Sequence, residues 1–372
     1  MNILIAGDFC PQKRVATAFN QGDYQGVLGE IRPLLENSDF SMVNFECPVT
    51  KGGEKPIFKL GLNLQCSEKG IEAIKWVGFD CVTLANNHFY DFGEEGVANT
   101  LETCRKHGLS IVGGGTNITE AAKTLYKQIN GQTLAVINCC EHEFSIATDK
   151  TGGSNPINPI KQYYDIQEAR TKADYVLVVV HGGHEYYQLP SPRMVETYHF
   201  FVDAGADAVV NHHQHCYSGY EIYRGKPIFY GLGNFCFDET NDLGRIWNEG
   251  YLLELCFSKE LIGFKIFPYE QCAEIPVIKL LPQNAFKANI QQLNSIINSP
   301  EKLKQETNKY YKESMQGINN ILNPTRNRYF AALQNRGFIP SPLQKPWLLK
   351  LQNYIFCESH RDKIEYYLFN KL

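Results

Sequence analysis

The sequence predicts an α/β fold with two sheets and a helical C-terminal appendage. Short runs rich in β-branched residues alternate with segments of helical periodicity, which is the pattern of strands joined by crossover helices. Five of these runs end in a cluster of polar residues, and from residue 283 onward the sequence becomes polar and helix-forming. The first two observations indicate strands whose ends meet at one crevice, and the third indicates a separate unit.

The predicted strands of the sheets are ILIAG, SMVNFE, CVTLA, YVLVVVH and ADAVV, all of strand length and rich in β-branched residues. Residues 14–39 predict one amphipathic helix before SMVNFE, EKGIEAIKWV predicts a second, and FGEEGVANTLETCRKHG predicts a third. The segment TEAAKTLYKQINGQTLAVINCC predicts a helix, a turn at Asn130-Gly131 and a strand. Residues 143–162 are rich in Gly, Ser, Asn and Pro and predict a loop near the crevice.

After His215 the sequence favours hairpins. SGYEIYRGKPIFYGLGNF predicts two strands around Arg224-Gly225, and GYLLELCFSKELIGFKIFPY predicts two more around residues 258–260. We expect these hairpins to extend a second sheet that packs against the first.

The C-terminal part has a different character. We assign residues 1–282 to the main domain and residues 283–372 to a helical extension, in which several prolines follow residue 323. The last segment, residues 346–372, mixes aromatic residues with Lys and Arg. Two readings remain open for it: packing on the main domain or on a second copy of the chain, or peripheral contact with a membrane.

Composition narrows the function classes. The chain has 372 residues, 43% of them hydrophobic, and a formal net charge of −4. Because there is no net basic footprint, we expect no nucleic-acid partner. No run reaches the roughly 20 apolar residues of a transmembrane segment, and MNILIAGDFC enters a strand without a secretory apolar region, so we expect a cytoplasmic protein.

The cysteines agree with a reducing compartment. There are 12, and their spacing is not that of a disulfide framework, so we expect reduced core residues. Cys10 and Cys47 stand beside polar clusters, where the alternatives are core packing and metal binding through a thiolate.

The polar clusters at the strand ends point to a metal site. They are Gly7-Asp8, Asn44-Phe45-Glu46, Asn86-Asn87-His88 with Asp91, His181-Gly182-Gly183-His184-Glu185, and His212-His213-Gln214-His215. The carboxyl ends of strands in an open α/β sheet face one crevice, so residues about 200 positions apart meet there. Carboxylates, an amide oxygen and imidazoles suit Mn, Zn or Fe better than Ca or Mg, and this many donors suit two ions.

Each cluster also has a simpler explanation when it is taken alone. Asp8 and Asp91 fit helix caps, His181 fits a hydrogen-bonded core histidine, and Asn86-Asn87 fits a left-handed turn. Their joint occurrence at the ends of strands favours a metal-binding crevice.

Six stretches carry a family resemblance: AGDF at 6–9, NFECP at 44–48, ANNHFYDFGEEG at 85–96, HGGHEY at 181–186, HHQH at 212–215 and KPIFYGLGNFCFD at 226–238. In this order they resemble the CapA family of poly-γ-glutamate capsule-synthesis proteins, distant members of the calcineurin-like metallophosphoesterases. The resemblance covers roughly the first 270 residues. It implies a four-layer α/β/β/α sandwich and a role in capsule or exopolysaccharide synthesis.

The resemblance also implies roles for single residues. Asp8 and His215 would bind the first metal, Glu46 would bridge the two metals, and Asn87, His181 and His213 would bind the second. His88 and Glu185 are the catalytic candidates, with His88 placed to protonate a leaving oxygen. Asn44 would orient Glu46.

Three departures separate the chain from the hydrolase pattern. Cys10 stands where those enzymes have a histidine ligand, Glu46 is one methylene longer than the usual bridging residue, and His181-Gly182-Gly183 lacks the usual tryptophan. Two functions therefore remain open. One is a metal-dependent hydrolase that acts on a phosphoester or an anionic polymer. The other is a non-catalytic module that binds such a polymer or a capsule-synthesis partner.

Overall fold

The computed structural model describes residues 1–59, 61–239, 245–259, 261–322 and 327–340. The strands are β1 (Asn2–Phe9), β2 (Phe40–Phe45), β3 (Cys81–Thr83), β4 (Ser110–Val112), β5 (Gly114–Gly115), β6 (Leu125–Ile129), β7 (Gln132–Cys140), β8 (Gly153–Ser154), β9 (Tyr175–His181), β10 (Ala208–His212), β11 (Tyr220–Tyr223), β12 (Lys226–Phe229), β13 (Asn234–Cys236), β14 (Glu249–Phe257), β15 (Ile262–Gln271) and β16 (Ile278–Leu280). The helices are α1 (Lys13–Asn20), α2 (Tyr24–Leu28), α3 (Arg32–Glu36), α4 (Glu68–Val77), α5 (Gly93–Lys106), α6 (Ile118–Ala121), α7 (Pro159–Lys172), α8 (Pro192–Asp203), α9 (Arg245–Asn248), α10 (Lys287–Ile297), α11 (Pro300–Leu322) and α12 (Arg328–Asn335).

Two sheets packed face to face form the body of the protein. The first has the order β16-β15-β14-β1-β2-β3-β4, with β13 also paired to β1, and the second has the order β11-β12-β10-β9-β7-β6. Helices α7 and α8 pack on the second sheet, and α1 and α4 pack together beyond the first. The predicted α/β class and the α/β/β/α layer order are confirmed.

The strand β1 shows why its sequence is continuously apolar. Successive side chains of a strand point to opposite faces of the sheet. Ile3 and Ile5 therefore enter the core cluster shared with the second sheet, while Leu4 and Ala6 enter the cluster beneath the helices. Because both faces are covered, alternation with polar residues is absent.

The single helix predicted over residues 14–39 is wrong, since α1, α2 and α3 take its place. Gly22 follows α1 with a φ of +79°, and the Asp23 side chain then caps α2 by accepting the Gly26 N–H at 2.8 Å. Pro33 lies in the first turn of α3, where its missing N–H costs nothing. The apolar period continues through these breaks, so the breaks cannot be recognised from the period alone.

The turn predicted at Asn130-Gly131 is confirmed. Both residues have positive φ, +51° and +78°, as a tight hairpin turn requires, and they join β6 to β7. The helix predicted before this turn is reduced to α6, because residues 125–129 form the strand β6 instead.

Both predicted C-terminal hairpins form, but they lie in different sheets. Arg224 and Gly225 join β11 to β12 in the second sheet, as predicted. The hairpin of β14 and β15 extends the first sheet instead, with Leu255 opposite Ile3 of β1, so its predicted place is wrong. Strand periodicity identifies a strand but not its partner.

Contacts divide the chain into two compact units, Met1–Lys304 and Gln305–Leu372. In the first, α10 packs on the body: the Tyr220 N–H donates to Asn294 Oδ1 at 2.8 Å, and Phe286 stacks on Tyr217 with centroids 4.5 Å apart. The division into domains at residue 282 stays a prediction, and residues 346–372 lie outside the described part. Among the described helices, none is both long and apolar enough to cross a bilayer.

Candidate metal centre

Four strand ends and the loop after β3 bring the predicted polar clusters to one place between the sheets. Asp8 lies near the end of β1, Glu46 directly follows β2, and His181 and His212 end β9 and β10. Parallel pairing sets Asp8 opposite Asn44 and His212 opposite His181. The side chains of Asp8, Glu46, Asn87, His181, His213 and His215 are all buried.

The loop after β10 is held in an unusual conformation. His213 has a φ of +91° and His215 a φ of +54°, in the left-handed region that costs about 1 kcal/mol or more for a residue with a side chain. This backbone conformation places both rings against the ends of β1 and β2. The His213 N–H donates to Asp8 Oδ2 at 3.2 Å. Backbone strain of this kind concentrates at functional sites.

Gly7 allows a second loop to approach the centre. A Cβ at this position would lie 1.8 Å from the Gly233 carbonyl oxygen, so a residue with a side chain does not fit there. The Asp8 N–H donates to that carbonyl, and Asn234 follows it. Asn234 Oδ1 lies 2.8 Å from His215 Nδ1 and fixes the orientation of the ring.

The buried donors form two groups that share one residue. Glu46, His181 and His213 make the first group, and Asp8, Glu46 and His215 make the second; within each, one donor atom per residue lies within 4.8 Å of the others. Glu46 Oε1 is 3.4 Å from His181 Nε2 and 3.8 Å from His215 Nε2. Membership of both groups is what a bridging carboxylate requires.

Glu46 is the clearest sign that these groups suit cations. Both of its carboxylate oxygens are buried without a hydrogen-bond partner among the described residues. Burial, and next the charge of Asp8, raise the pKa of Glu46 well above its usual value. Divalent cations would neutralise this carboxylate and occupy its lone pairs.

The histidines are in the form that binds metal. Burial lowers the pKa of His213 to about 3 and lowers the pKa of His181 well below its usual value. Both imidazoles are therefore neutral near pH 7, and a neutral imidazole is the ligand form. The residues present fit divalent cations.

Two asparagines complete the surroundings. Asn87 Oδ1 lies 2.9 Å from His181 Nε2. It is therefore beside the donor group of Glu46, His181 and His213, to which the family resemblance assigns it. Asn44 was predicted to orient Glu46, but its amide nitrogen donates to Asp8 Oδ1 at 2.7 Å. That prediction is wrong, because the register between β1 and β2 sets Asn44 opposite Asp8.

His88 lies at the edge of the centre with two partners. Its Nδ1 is 2.7 Å from Asp91 Oδ2 and 3.1 Å from Lys59 Nζ, and Lys59 also pairs with Asp91 Oδ1. Burial lowers the pKa of His88, and Lys59 lowers it further, while Asp91 raises it. Asp91 is thus a partner of His88 and does not cap α5, whose N-cap is Phe92. Asn86 and Asn87 have negative φ, so the left-handed turn is excluded.

Other candidate residues do not join the two groups. His212 is buried with Nε2 3.0 Å from the Ala6 carbonyl oxygen, which makes it a structural neighbour of the centre. Cys10 and Cys47 are buried in the apolar core beneath the first sheet. Burial and hydrogen bonds with neighbouring thiols raise the pKa of Cys47 well above its usual value, so it is a thiol there. The described cysteines form no disulfide.

A pocket of about 590 Å³ opens onto the centre. Asn87, His88 and His215 lie on its inner side, and Glu185 is exposed at its mouth. Sequence reasoning missed four of the residues around it: Lys59, Glu143, Tyr186 and Trp247. Lys59 and Glu143 lie on loops without a periodic pattern, although Tyr186 directly follows the HGGHE cluster and was within reach of the sequence argument.

Replacing His213 with Ala should weaken metal binding by more than about 100-fold, since the loss of an outer partner alone costs about 10–100-fold. Metal per chain, measured by mass spectrometry on protein purified without a His tag, checks this. His212→Gln is the matched control, because its amide can still donate to the Ala6 carbonyl. Equal metal content in His213→Ala and wild type would contradict the assignment.

Known proteins resemble this chain in sequence and, weakly, in structure. The family model described as bacterial capsule synthesis protein PGA_cap matches residues 2–239. The capsule biosynthesis protein CapA of Bacillus anthracis is 34% identical over 247 residues, which are 64% of this chain and 60% of the relative. The PGA biosynthesis protein CapA of Bacillus subtilis (strain 168) is 33% identical over 236 residues, which are 63% of this chain and 62% of the relative.

The chain thus spans about 60% of the length of these curated relatives. Among solved structures, a 5′-nucleotidase precursor from Thermus thermophilus aligns with a TM-score of 0.43 and 11% identity, over 78% of this chain and 57% of that one. This likeness is weak, and the fold described above rests on the chain's own strand order.

Proposed function

The chain belongs to the PGA_cap family of bacterial capsule synthesis proteins, and from this membership and the candidate metal centre we propose that it is a metal-dependent hydrolase. Its substrate is a phosphoester or an anionic polymer formed during capsule or exopolysaccharide synthesis, as in poly-γ-glutamate production. The observation that carries the proposal is the shared position of Glu46 in two buried donor groups.

The donor set supports two cations. Asp8, Glu46 and His215 would hold one, and Glu46, Asn87, His181 and His213 would hold the other. When bound, such a pair supplies an activated water and neutralises charge on a phosphate. Mixed carboxylate, amide and imidazole donors favour Mn, Zn or Fe.

The chain's own residues bind the ester and protonate its leaving oxygen. Asp91 holds Nδ1 of His88, which leaves Nε2 for proton exchange in the pocket. The lowered pKa of His88 keeps the ring neutral in the free protein. A bound dianionic ester would raise that pKa, since a nearby opposite charge favours the imidazolium, and the ring would then protonate the leaving oxygen.

One observation favours a second candidate, a non-catalytic module that binds an anionic polymer or a capsule-synthesis partner. Cys10 replaces the histidine of the hydrolase pattern; it is buried in the core, and its Sγ accepts a hydrogen bond from Gln12 at 3.2 Å. The cation at Asp8 and His215 then has one protein ligand fewer. An open position also serves a catalytic cation, which needs room for water.

The proposal is tested by measuring whether the full chain, with added Mn, Zn or Fe, hydrolyses simple phosphomonoesters and γ-glutamyl peptides. We expect turnover that depends on the metal and disappears in Asn87→Ala, whose change removes one donor. Two bound equivalents of metal without turnover on any of these substrates would favour the binding module. Absence of bound metal after addition would exclude the hydrolase.

A further inference from the structure

One wall of the pocket, formed by Tyr186, Phe237 and Trp247, is aromatic and adjoins the candidate centre. The Tyr186 ring stacks on Trp247, with centroids 5.9 Å apart and planes at 29°. Trp247 in turn lies 5.0 Å from the His215 ring and 5.0 Å from Phe237. Anything that sits on His215 and extends outward therefore meets this wall.

The wall is fixed in place. The indole N–H of Trp247 donates to the Phe237 carbonyl at 3.0 Å, and Trp247 is buried. Tyr186 has a φ of +61°, which is costly for an aromatic residue, and its N–H donates to the Gln214 carbonyl at 2.8 Å. Tyr186 nevertheless remains 44% exposed at the mouth of the pocket. An apolar ring held under strain and left half in water indicates a ligand contact.

The charges around the aromatic wall disfavour a substrate with a second anionic group besides its phosphate. Lys13 pairs with Glu239, and Lys59 pairs with Asp91, so both cations of the pocket are already neutralised. Glu143 and Glu185 also line the pocket. Among the described residues neither lies within ion-pair distance of a Lys or Arg, and the Glu143 carboxylate accepts a hydrogen bond from Asn87. A carboxylate only accepts hydrogen bonds, so the mouth suits a neutral group with many O–H donors.

The size of the pocket agrees with such a group. Its volume of about 590 Å³ lies within the roughly 300–1,000 Å³ range of pockets that hold a complete small molecule. A phosphate at the donor groups would leave most of this space for the alcohol part of an ester.

From the stacked wall, the acceptor carboxylates and the volume, we propose that the pocket binds a sugar ring carried by the phosphoester. The apolar face of the ring lies on Tyr186, which stacks on the buried Trp247, and its hydroxyl groups donate to Glu143 and Glu185. The substrate is then a sugar phosphate, and a bare polyglutamate chain is disfavoured. This inference rests on the proposed hydrolase function for its kinetic test, but sugar binding can be measured without turnover.

The kinetic test compares glucose 1-phosphate, glycerol 1-phosphate and adenosine 5′-monophosphate as substrates of the metal-loaded full chain. We expect Tyr186→Ala to raise KM for glucose 1-phosphate about tenfold, the scale of one aromatic contact, and to leave glycerol 1-phosphate unchanged. Tyr186→Phe keeps the ring and should keep the wild-type KM. Equal losses on the sugar and glycerol esters, or a preference for the nucleotide, would overturn the proposal.

Binding is measured separately, so that a failure of hydrolysis does not decide the question. Saturation-transfer NMR with glucose 1-phosphate and the His88→Ala variant should show transfer from aromatic protons to the sugar ring. The signal should vanish when Tyr186→Ala is added and persist with Tyr186→Phe. This result would uphold the sugar site even if no ester were hydrolysed. Absence of transfer, or displacement of the sugar by tri-γ-glutamate, would overturn it.

Discussion

Replacing Glu46 with Gln should abolish metal binding and yet raise the melting temperature of the metal-free protein. The buried carboxylate has no hydrogen-bond partner among the described residues, and burial with the nearby Asp8 raises its pKa well above the usual value. A neutral amide of the same shape avoids the cost of burying charge. A gain on the order of 1 kcal/mol is expected, because an unpaired buried charge costs more than a neutral group of the same shape.

The pH dependence of this effect has a defined sign. Because the pKa of Glu46 is raised in the folded state, its stability contribution is complete below the unfolded value of about 4.5 and is lost as pH rises. The advantage of Glu46→Gln should therefore grow above pH 4.5. Thermal unfolding after treatment with a chelator, at several pH values, measures it, and about 1 kcal/mol corresponds to roughly 2 °C in a chain of this size.

Glu221 provides the matched control, since it is also buried but has partners. Its Oε1 lies 2.8 Å from His199 Nε2 and accepts a hydrogen bond from the Tyr230 hydroxyl. Glu221→Gln should lower the melting temperature with or without metal. With metal present, Glu46→Gln should also unfold earlier than wild type, because bound ligand stabilises only the folded state that holds it. A fall in the melting temperature of metal-free Glu46→Gln would show that Glu46 is satisfied without a cation.

The positions of the donor residues could be predicted because of strand geometry. Asp8, Glu46 and His181 each follow or end a β-branched run, and the ends of parallel strands converge. Asn44 shows the limit of this argument. Its partner is Asp8 and not Glu46, since the pairing register between two strands decides which side chains face each other.

The surroundings of the pocket were harder to predict. Lys59 reaches His88 from an irregular segment, and no periodicity indicates where such a segment runs. Trp247 comes from a short helix of the chain's β-rich part and stacks on Tyr186, whose positive φ is not indicated by the sequence pattern. The long helix predicted over residues 14–39 is also divided. The positive φ of Gly22 ends one helix and the Asp23 side chain caps the next, although the apolar period continues through both residues.

Replacing His88 with Ala should leave metal content unchanged and reduce turnover about 10²–10⁴-fold, the usual contribution of a general acid. His88 is held by Asp91 and Lys59 and is outside both donor groups, so its removal takes no ligand from a cation. Metal analysis and steady-state kinetics on the same preparation check the two parts together. Loss of metal from His88→Ala would assign the residue to the metal site instead.

The leaving group of the ester tests the acid role directly. An alkyl alcohol leaves slowly unless it is protonated, whereas a nitrophenolate leaves without a proton, so only the first reaction needs His88. His88→Ala should therefore lose far more activity on an alkyl phosphate than on nitrophenyl phosphate. Asn87→Ala, which removes a donor to the metal, should lose activity on both esters alike. Equal losses of His88→Ala on both esters would mean that the ring positions the substrate and transfers no proton.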